Sequence, residues 1–159
     1  MSDALLQQIK QHWGDLRGRT YDLLDVLQPE DFPKRLPFAE SQSVYYQFWC
    51  MLGTTESFAR LIEAGTWQGW ASSLNFDPAE VSAESIKAAL RQSDETLFAA
   101  LAGHDLLQPY GRGATPLRHY FRLVEHESHH HGQLINFIYA LNLPIPQSWA
   151  DEWALSREA

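Results

Sequence analysis

Four segments of the sequence repeat apolar residues at the period of an α-helix, and loops containing proline or glycine separate them. Side chains three and four positions apart lie on the same face of a helix, so each segment has one face to bury. No segment alternates apolar and polar residues as a half-buried strand does. We predict helices over residues 3–27, 43–64, 83–102 and 116–141, and therefore an all-α, four-helix bundle.

The predicted boundaries follow from residues that begin and end helices. Thr115 and Pro116 are a typical start for the fourth helix, and Ser82 is a suitable cap for the third. Gly65 is expected to end the second helix. The connection over residues 28–42 contains three prolines and is long for a link between adjacent helices. We therefore expect the second helix to cross over the end of the bundle.

Two segments outside the four helices are rich in aromatic residues. We interpret residues 65–80 as a plug over the end of the core, with a cap over an opening as the alternative. After the fourth helix, Asp151 is expected to cap a short turn. We expect Trp149 and Trp153 to pack against the end of the bundle.

Composition limits the classes of function. The 159 residues are enough for one domain, 1–159, with its own core. One cysteine excludes an internal disulfide and, with no signal-peptide pattern, leads us to expect a cytoplasmic protein. The formal charge of −8 without a clustered basic face argues against nucleic acid and anionic membranes as partners. No stretch approaches the roughly 20 apolar residues of a membrane span.

Four of the seven histidines fall within residues 126–131, on the fourth helix. At 100° per residue, His126 and His130 lie about 40° apart, in the middle of an apolar stripe. Buried imidazoles need partners for their nitrogens. The i, i+4 spacing directs two nitrogens at one point, as in zinc-binding helices. Two interpretations stay open: the pair binds a metal ion, or it hydrogen-bonds to water, a carbonyl or a carboxylate.

The other polar residues of this helix are expected to lie off the site. His129 and His131 diverge from the pair by about 60° or more, so we expect them at its flanks, facing solvent or supporting the ligands. His119 shares the face of the pair but lies about 10 Å away along the axis, too far to join the same ion. Glu127 is an acid/base candidate, although it points about 100° away from His126.

The second helix carries polar residues that can face the histidine pair. Cys50 is either a small buried hydrophobe or a thiolate ligand. We predict that His126 and His130 point toward Cys50 or Gln47, and that Cys50 is the best third ligand. Gln47 is a weaker choice because it is neutral and one turn away. For zinc, metal–nitrogen distances of about 2.0–2.1 Å and a metal–sulfur distance of about 2.3 Å are expected.

The helix layout and one motif resemble the DinB/YfiT-like family of four-helix bundles. The motif is HESHHHGQ at 126–133, followed by an apolar run and LPIP at 143–146. Members typically bind a divalent metal, zinc or nickel among others, through three histidines, two of which match His126 and His130. The family's third histidine, on the second helix, corresponds here to Cys50, in the sequence CMLG at 50–53. The chain departs from the family pattern at that position.

The resemblance implies a divalent-metal-dependent enzyme of the thiol-dependent transferase or hydrolase type, with a low-molecular-weight thiol as cosubstrate. Three protein ligands would leave one position of a zinc ion open for a thiol or water. Because many members have no known activity, the alternative is a non-catalytic dimeric bundle, with or without a metal ion, that acts through association. A homodimer is expected from the resemblance and from a second apolar line on the fourth helix: Leu117, Phe121, Val124, Ile135 and Tyr139.

Overall fold

A computed structural model describes residues 2–77 and 81–157. Its elements in chain order are α1 (Ser2–Val26), a 3-10 turn (Pro29–Asp31), α2 (Val44–Ala64), α3 (Ala83–Ala102), α4 (Pro116–Ala140) and α5 (Gln147–Trp153). The described residues contain two isolated β-bridges and no strand. The prediction of an all-α fold with four long helices is therefore confirmed.

The predicted helix boundaries agree with the structure to within a residue or so because the capping residues act as expected. The hydroxyl of Thr115 accepts a hydrogen bond from the backbone N–H of Arg118, and that of Ser82 accepts one from Ser85. Gly65 adopts the left-handed conformation, with φ of 70°, which ends α2.

The helices pack so that α2 contacts α3 and α4, and α1 also contacts α3 and α4. Helices α1 and α2 therefore lie diagonally across the bundle. The long first connection makes this arrangement possible, as its length predicted, because it carries the chain over the end of the bundle. None of the described helices combines the length and hydropathy that crossing a lipid bilayer requires.

The apolar core is divided into two clusters along the bundle axis. One contains Leu23, Phe48, Met51, Leu90, Ile138 and Trp149, and the other contains Ile9, Trp13, Ile62, Leu97 and Leu123. Between them every long helix contributes polar side chains, which we call the polar belt: Arg17, Thr20, Cys50, Thr54, Thr55, Asp94, His126, Glu127, His130 and His131. The belt crosses the middle of the bundle.

The loop after α2 differs from its predicted position. It runs back along the side of α2 instead of plugging the end of the core. The indole N–H of Trp49 donates to the carbonyl of Leu74 at 3.1 Å, and the N–H of Ala71 donates to the hydroxyl of Ser57 at 3.1 Å. These bonds fasten the loop to the helix surface. Residues 78–80 of the predicted plug lie outside the described part of the chain.

The C-terminal segment forms a short helix in place of the predicted turn. Helix α5 begins at Gln147, after Pro146, so Asp151 lies within the helix and does not cap it. Proline suits this position because it restrains the chain just before a helix and has no N–H to satisfy. Trp149 is fully buried, as expected, and its indole N–H donates to the carbonyl of Arg19 at 2.7 Å. The short helix thereby covers one end of the bundle.

Candidate metal centre

The structure places the three predicted ligand residues side by side within the polar belt. Cys50 comes from α2, and His126 and His130 come from α4. Their potential ligand atoms all lie within 4.8 Å of one another. The Nε2 atoms of the two histidines are 3.3 Å apart, and Nε2 of His126 lies 3.6 Å from Sγ of Cys50.

Two of the three separations match the donor spacing of a tetrahedral zinc site, and the third, between Cys50 and His130, is within 4.8 Å. Bonds of about 2.05 Å to nitrogen and 2.3 Å to sulfur, at the tetrahedral angle, set nitrogen atoms about 3.3 Å apart and nitrogen and sulfur about 3.6 Å apart. The measured values are 3.3 Å and 3.6 Å. The cysteine–histidine cluster could therefore hold a metal ion, and three protein ligands would leave a fourth position for another ligand.

Gln47 determines which nitrogen of His130 faces the cluster. Its amide N–H donates to the carbonyl of Ser43 at 3.4 Å, which directs Oε1 toward the imidazole. Oε1 then accepts a hydrogen bond from Nδ1 of His130 at 2.7 Å. The proton of His130 is thus on Nδ1, and the lone pair of Nε2 points at the cluster. Gln47, the weaker ligand candidate, instead orients His130, as groups around metal sites commonly do.

Burial keeps the cluster's imidazoles neutral. Desolvation lowers the pKa of His126, and desolvation together with the nearby His126 brings the pKa of His130 to about 3. Both histidines therefore offer lone pairs at neutral pH. Burial also raises the pKa of the Cys50 thiol, although hydrogen bonds with Thr54 and Tyr46 oppose this. A bound cation would favour the thiolate.

The loop after α2 supports the cluster through Trp70. Its indole N–H donates to the hydroxyl of Thr54 at 3.2 Å, and that oxygen lies 3.3 Å from Nε2 of His126. The ring of Trp70 packs so closely against Gly53 that an added Cβ would lie 2.3 Å from it. Glycine at position 53 therefore allows the tryptophan to reach Thr54.

The remaining histidines of α4 agree with prediction only in part. His129 is exposed, as expected. His119 packs against Phe58, outside the cluster, also as expected. The prediction that His131 lies at a flank is wrong, because it is fully buried with its ring 4.8 Å from Trp149. Helix α5 and helix α1 cover this second face of α4, which the helical period alone does not reveal.

A buried ion-pair network occupies the side of the polar belt opposite the cysteine–histidine cluster. The guanidinium of Arg17 donates to both carboxylate oxygens of Glu127, at 3.0 and 3.1 Å, and to the hydroxyl of Thr55 at 3.0 Å. Glu127 also accepts from the hydroxyl of Thr20, whose oxygen in turn accepts from Nε2 of His131 at 2.8 Å. Both ions are 1% exposed, so Glu127 is committed to Arg17 and is no acid/base candidate for the cluster.

This network was not predicted from the sequence, and Asp94 of α3 belongs to it. Asp94 is not solvated: it accepts hydrogen bonds from Trp13 at 2.7 Å and Tyr21 at 3.0 Å, and lies 3.3 Å from Nε of Arg17. Burial is the main cause of the raised pKa of Asp94, and the positive charge of Arg17 opposes this rise. One feature of the sequence points to the network: Arg17 lies four residues after Trp13, on the buried stripe of α1, where a charge needs a partner.

Two surface cavities adjoin the cluster. One, of about 370 Å³, includes His126 itself and is lined by Thr54, Phe58, Arg122, Glu125, His126 and His129. The other, of about 880 Å³, lies beside the cluster and reaches it through Tyr46 and Gln47. Its remaining lining includes Leu36, Phe38, Phe137 and Tyr139. The side of the cluster between α2 and α4 is therefore accessible to a small molecule.

The fold and the site together define an all-α helical bundle with a cysteine–histidine cluster between α2 and α4. No protein-family model and no curated protein matches the sequence. Among solved structures, the crystal structure of a DinB-like protein (YjoA) from Bacillus subtilis is similar, with a TM-score of 0.63 and 22% identity. The match covers 87% of this chain and 96% of that chain. The chain thus has a DinB-like fold, and the resemblance predicted from its helix layout and motif is confirmed at that level.

Proposed function

We propose that this DinB-like protein binds one divalent metal ion through Cys50, His126 and His130. The observation that carries the proposal is the convergence of three ligand atoms within 4.8 Å of one another, with 3.3 Å between the two nitrogens and 3.6 Å from the His126 nitrogen to sulfur. Thiolate and imidazole ligands suit zinc, so zinc is proposed ahead of nickel.

We further propose an enzyme of the thiol-dependent transferase or hydrolase type. A zinc ion at the site would supply a Lewis acid that lowers the pKa of a thiol or water at its open position. Gln47 holds the tautomer of His130 that ligation requires. His129 is exposed in the cavity that contains His126, where its imidazole can hydrogen-bond to a bound molecule. A thiolate ligand makes the ion a weaker Lewis acid than three imidazoles would, so binding has stronger support than catalysis.

Association is the second candidate function, and an observation on α4 favours it. In the predicted second apolar line, Phe121 and Tyr139 are 54% and 44% exposed. They are 18 residues, or five full helical turns, apart and therefore share one face. We propose that this face forms a homodimer contact, which is compatible with metal binding because the cluster lies on another side of the helix.

Metal analysis of the untagged protein tests the proposed site. The purified chain should contain about one zinc ion, and His130→Ala should remove it, because the variant lacks one of three ligands. Added zinc at 100 times its Kd should stabilise the wild type by about 2.7 kcal/mol, or roughly 5–11 °C in Tm, and leave the variant unchanged.

The matched control is His129→Ala, which removes an adjacent, exposed imidazole. It should keep both the metal content and the thermal response to zinc. Equal metal content and equal response in the wild type and His130→Ala would contradict the site, and hydrogen bonding within the polar belt would then explain the histidine pair.

A further inference from the structure

Three arginines at one end of the bundle have no partner within the described residues: Arg112, Arg118 and Arg122. Every other lysine or arginine side chain has a hydrogen bond, an ion pair or an aromatic ring contact. The chain carries a formal charge of −8, so cations without an anionic partner stand out on its surface. These three arginines form no basic run in the sequence, because mainly apolar and histidine residues separate them.

Arg122 is the member of this group that lies nearest to the candidate metal centre. It precedes His126 by four residues on α4, one helical turn or about 6 Å along the axis. Arg122 and His126 line the same cavity of about 370 Å³. Arg122 also lines the adjoining cavity of about 290 Å³, together with Arg118 and His119. The positive charge therefore borders the cavity that His126 lines.

We propose that Arg122 is a specificity-determining residue that binds the carboxylate of a small anionic substrate whose thiol reaches the metal. The inference rests on the proposed metal centre and names the charge of the molecule that the site accepts. The planar guanidinium of arginine pairs with a carboxylate through two parallel N–H···O bonds. Arg122 is free to do so, because no described side chain already occupies its donors.

The lining of the cavity contains one arginine and one carboxylate. Glu125 is that carboxylate, but Arg122 forms no ion pair with it. Phe58 lines the same cavity and provides an apolar surface suited to a short methylene chain. A ligand with a thiol at one end and a carboxylate about six bonds away would span the turn between His126 and Arg122. A neutral thiol of the same length would lack the second contact.

Calorimetric titration of the zinc-loaded protein with two matched thiols tests this inference. The probes are 6-mercaptohexanoate and 6-mercaptohexan-1-ol, which differ in charge but little in length. The wild type should bind the acid about tenfold more tightly than the alcohol, since a charge-assisted hydrogen bond replaces a neutral one. Arg122→Gln should abolish the preference, and Arg122→Lys should restore part of it.

The control variant is Arg112→Gln, which removes an equally unpaired charge that lines neither cavity. It should retain the preference for the acid, whereas a loss equal to that in Arg122→Gln would overturn the proposal in favour of general surface charge. Equal binding of acid and alcohol by the zinc-loaded wild type would overturn this inference alone. Failure of the wild type to load zinc would overturn the proposed function and, with it, the inference.

Discussion

Replacement of Arg17 should be among the most destabilising single changes in this protein. Arg17 is 1% exposed and is held by Glu127, Thr55 and Asp94 in the polar belt. In Arg17→Met a methionine fills much of the aliphatic volume but leaves two buried carboxylates without their cation. Breaking a buried ion pair from one side costs about 3–5 kcal/mol. For a chain of this length that loss corresponds to roughly 6–20 °C in Tm.

A double-mutant cycle identifies the ion pair as the cause. Glu127→Gln should cost less than Arg17→Met, because Arg17 keeps Asp94 and an amide oxygen can still accept its hydrogen bond. The double variant should be more stable than the sum of the two losses by about 2 kcal/mol, within the range for directly contacting residues. Urea unfolding followed by circular dichroism, in buffer with a metal chelator, measures all four proteins without contributions from metal binding.

Arg19→Met is the matched control. Arg19 also belongs to α1 and pairs with Glu152, but that carboxylate is 43% exposed. Exposed ion pairs contribute about 0–1 kcal/mol, so this change should be several-fold milder than Arg17→Met. Equal losses in Arg17→Met and Arg19→Met, or additive losses in the cycle, would refute the argument that burial makes the Arg17 pair important.

The stability lost in Arg17→Met should depend on pH in a defined way. Burial raises the pKa of Asp94, and Arg17 opposes that rise. Without Arg17, the pKa of folded Asp94 should move further above its unfolded value. A raised carboxyl pKa contributes stability that is present at low pH and is lost as pH rises through the folded pKa. The stability difference between wild type and Arg17→Met should therefore narrow as pH falls from 7 to 5, and a constant difference would contradict this cause.

Three further changes test the surroundings of the cluster and the proposed association. Gln47→Leu should lower zinc affinity about 10–100-fold in a chelator competition, because His130 loses the group that orients it; unchanged affinity would show that Gln47 is dispensable. Gly53→Ala should displace Trp70, since the new Cβ would lie 2.3 Å from its ring, and tryptophan emission should shift to the red. Light scattering should give about twice the 18.2 kDa chain mass for the wild type and one chain mass for Phe121→Asp.

The parts of the structure that local rules govern were predictable from sequence. Helix ends follow from caps such as Ser82 and Thr115, whose hydroxyls bond to nearby backbone N–H groups. The meeting of Cys50 with His126 and His130 was also predictable. All three lie midway along stripes that must be buried, and α2 and α4 are both part of the bundle. Helical period fixes which side chains share a face, and this was enough to choose the candidate ligands.

Features that depend on a third element were not predictable. His131 is buried because α5 folds back and places Trp149 against it, which no periodicity within α4 encodes. Asp94 is enclosed by Trp13 and Tyr21, two residues of α1 distant in the chain. Gln47 lies on the predicted stripe, but only the side-chain rotamers decide whether its oxygen meets a metal ion or an imidazole.

The polar belt also restricts how the helices can align along their axes. A helix that slid by one turn, about 5.4 Å, would move its belt residues into one of the two apolar clusters. For α1 this shift would carry Arg17 away from Glu127 and leave an uncompensated charge among apolar side chains. Apolar side chains alone tolerate such slippage, because one aliphatic contact substitutes for another. The belt thus sets the axial register of the bundle, and the same alignment brings Cys50 opposite His126.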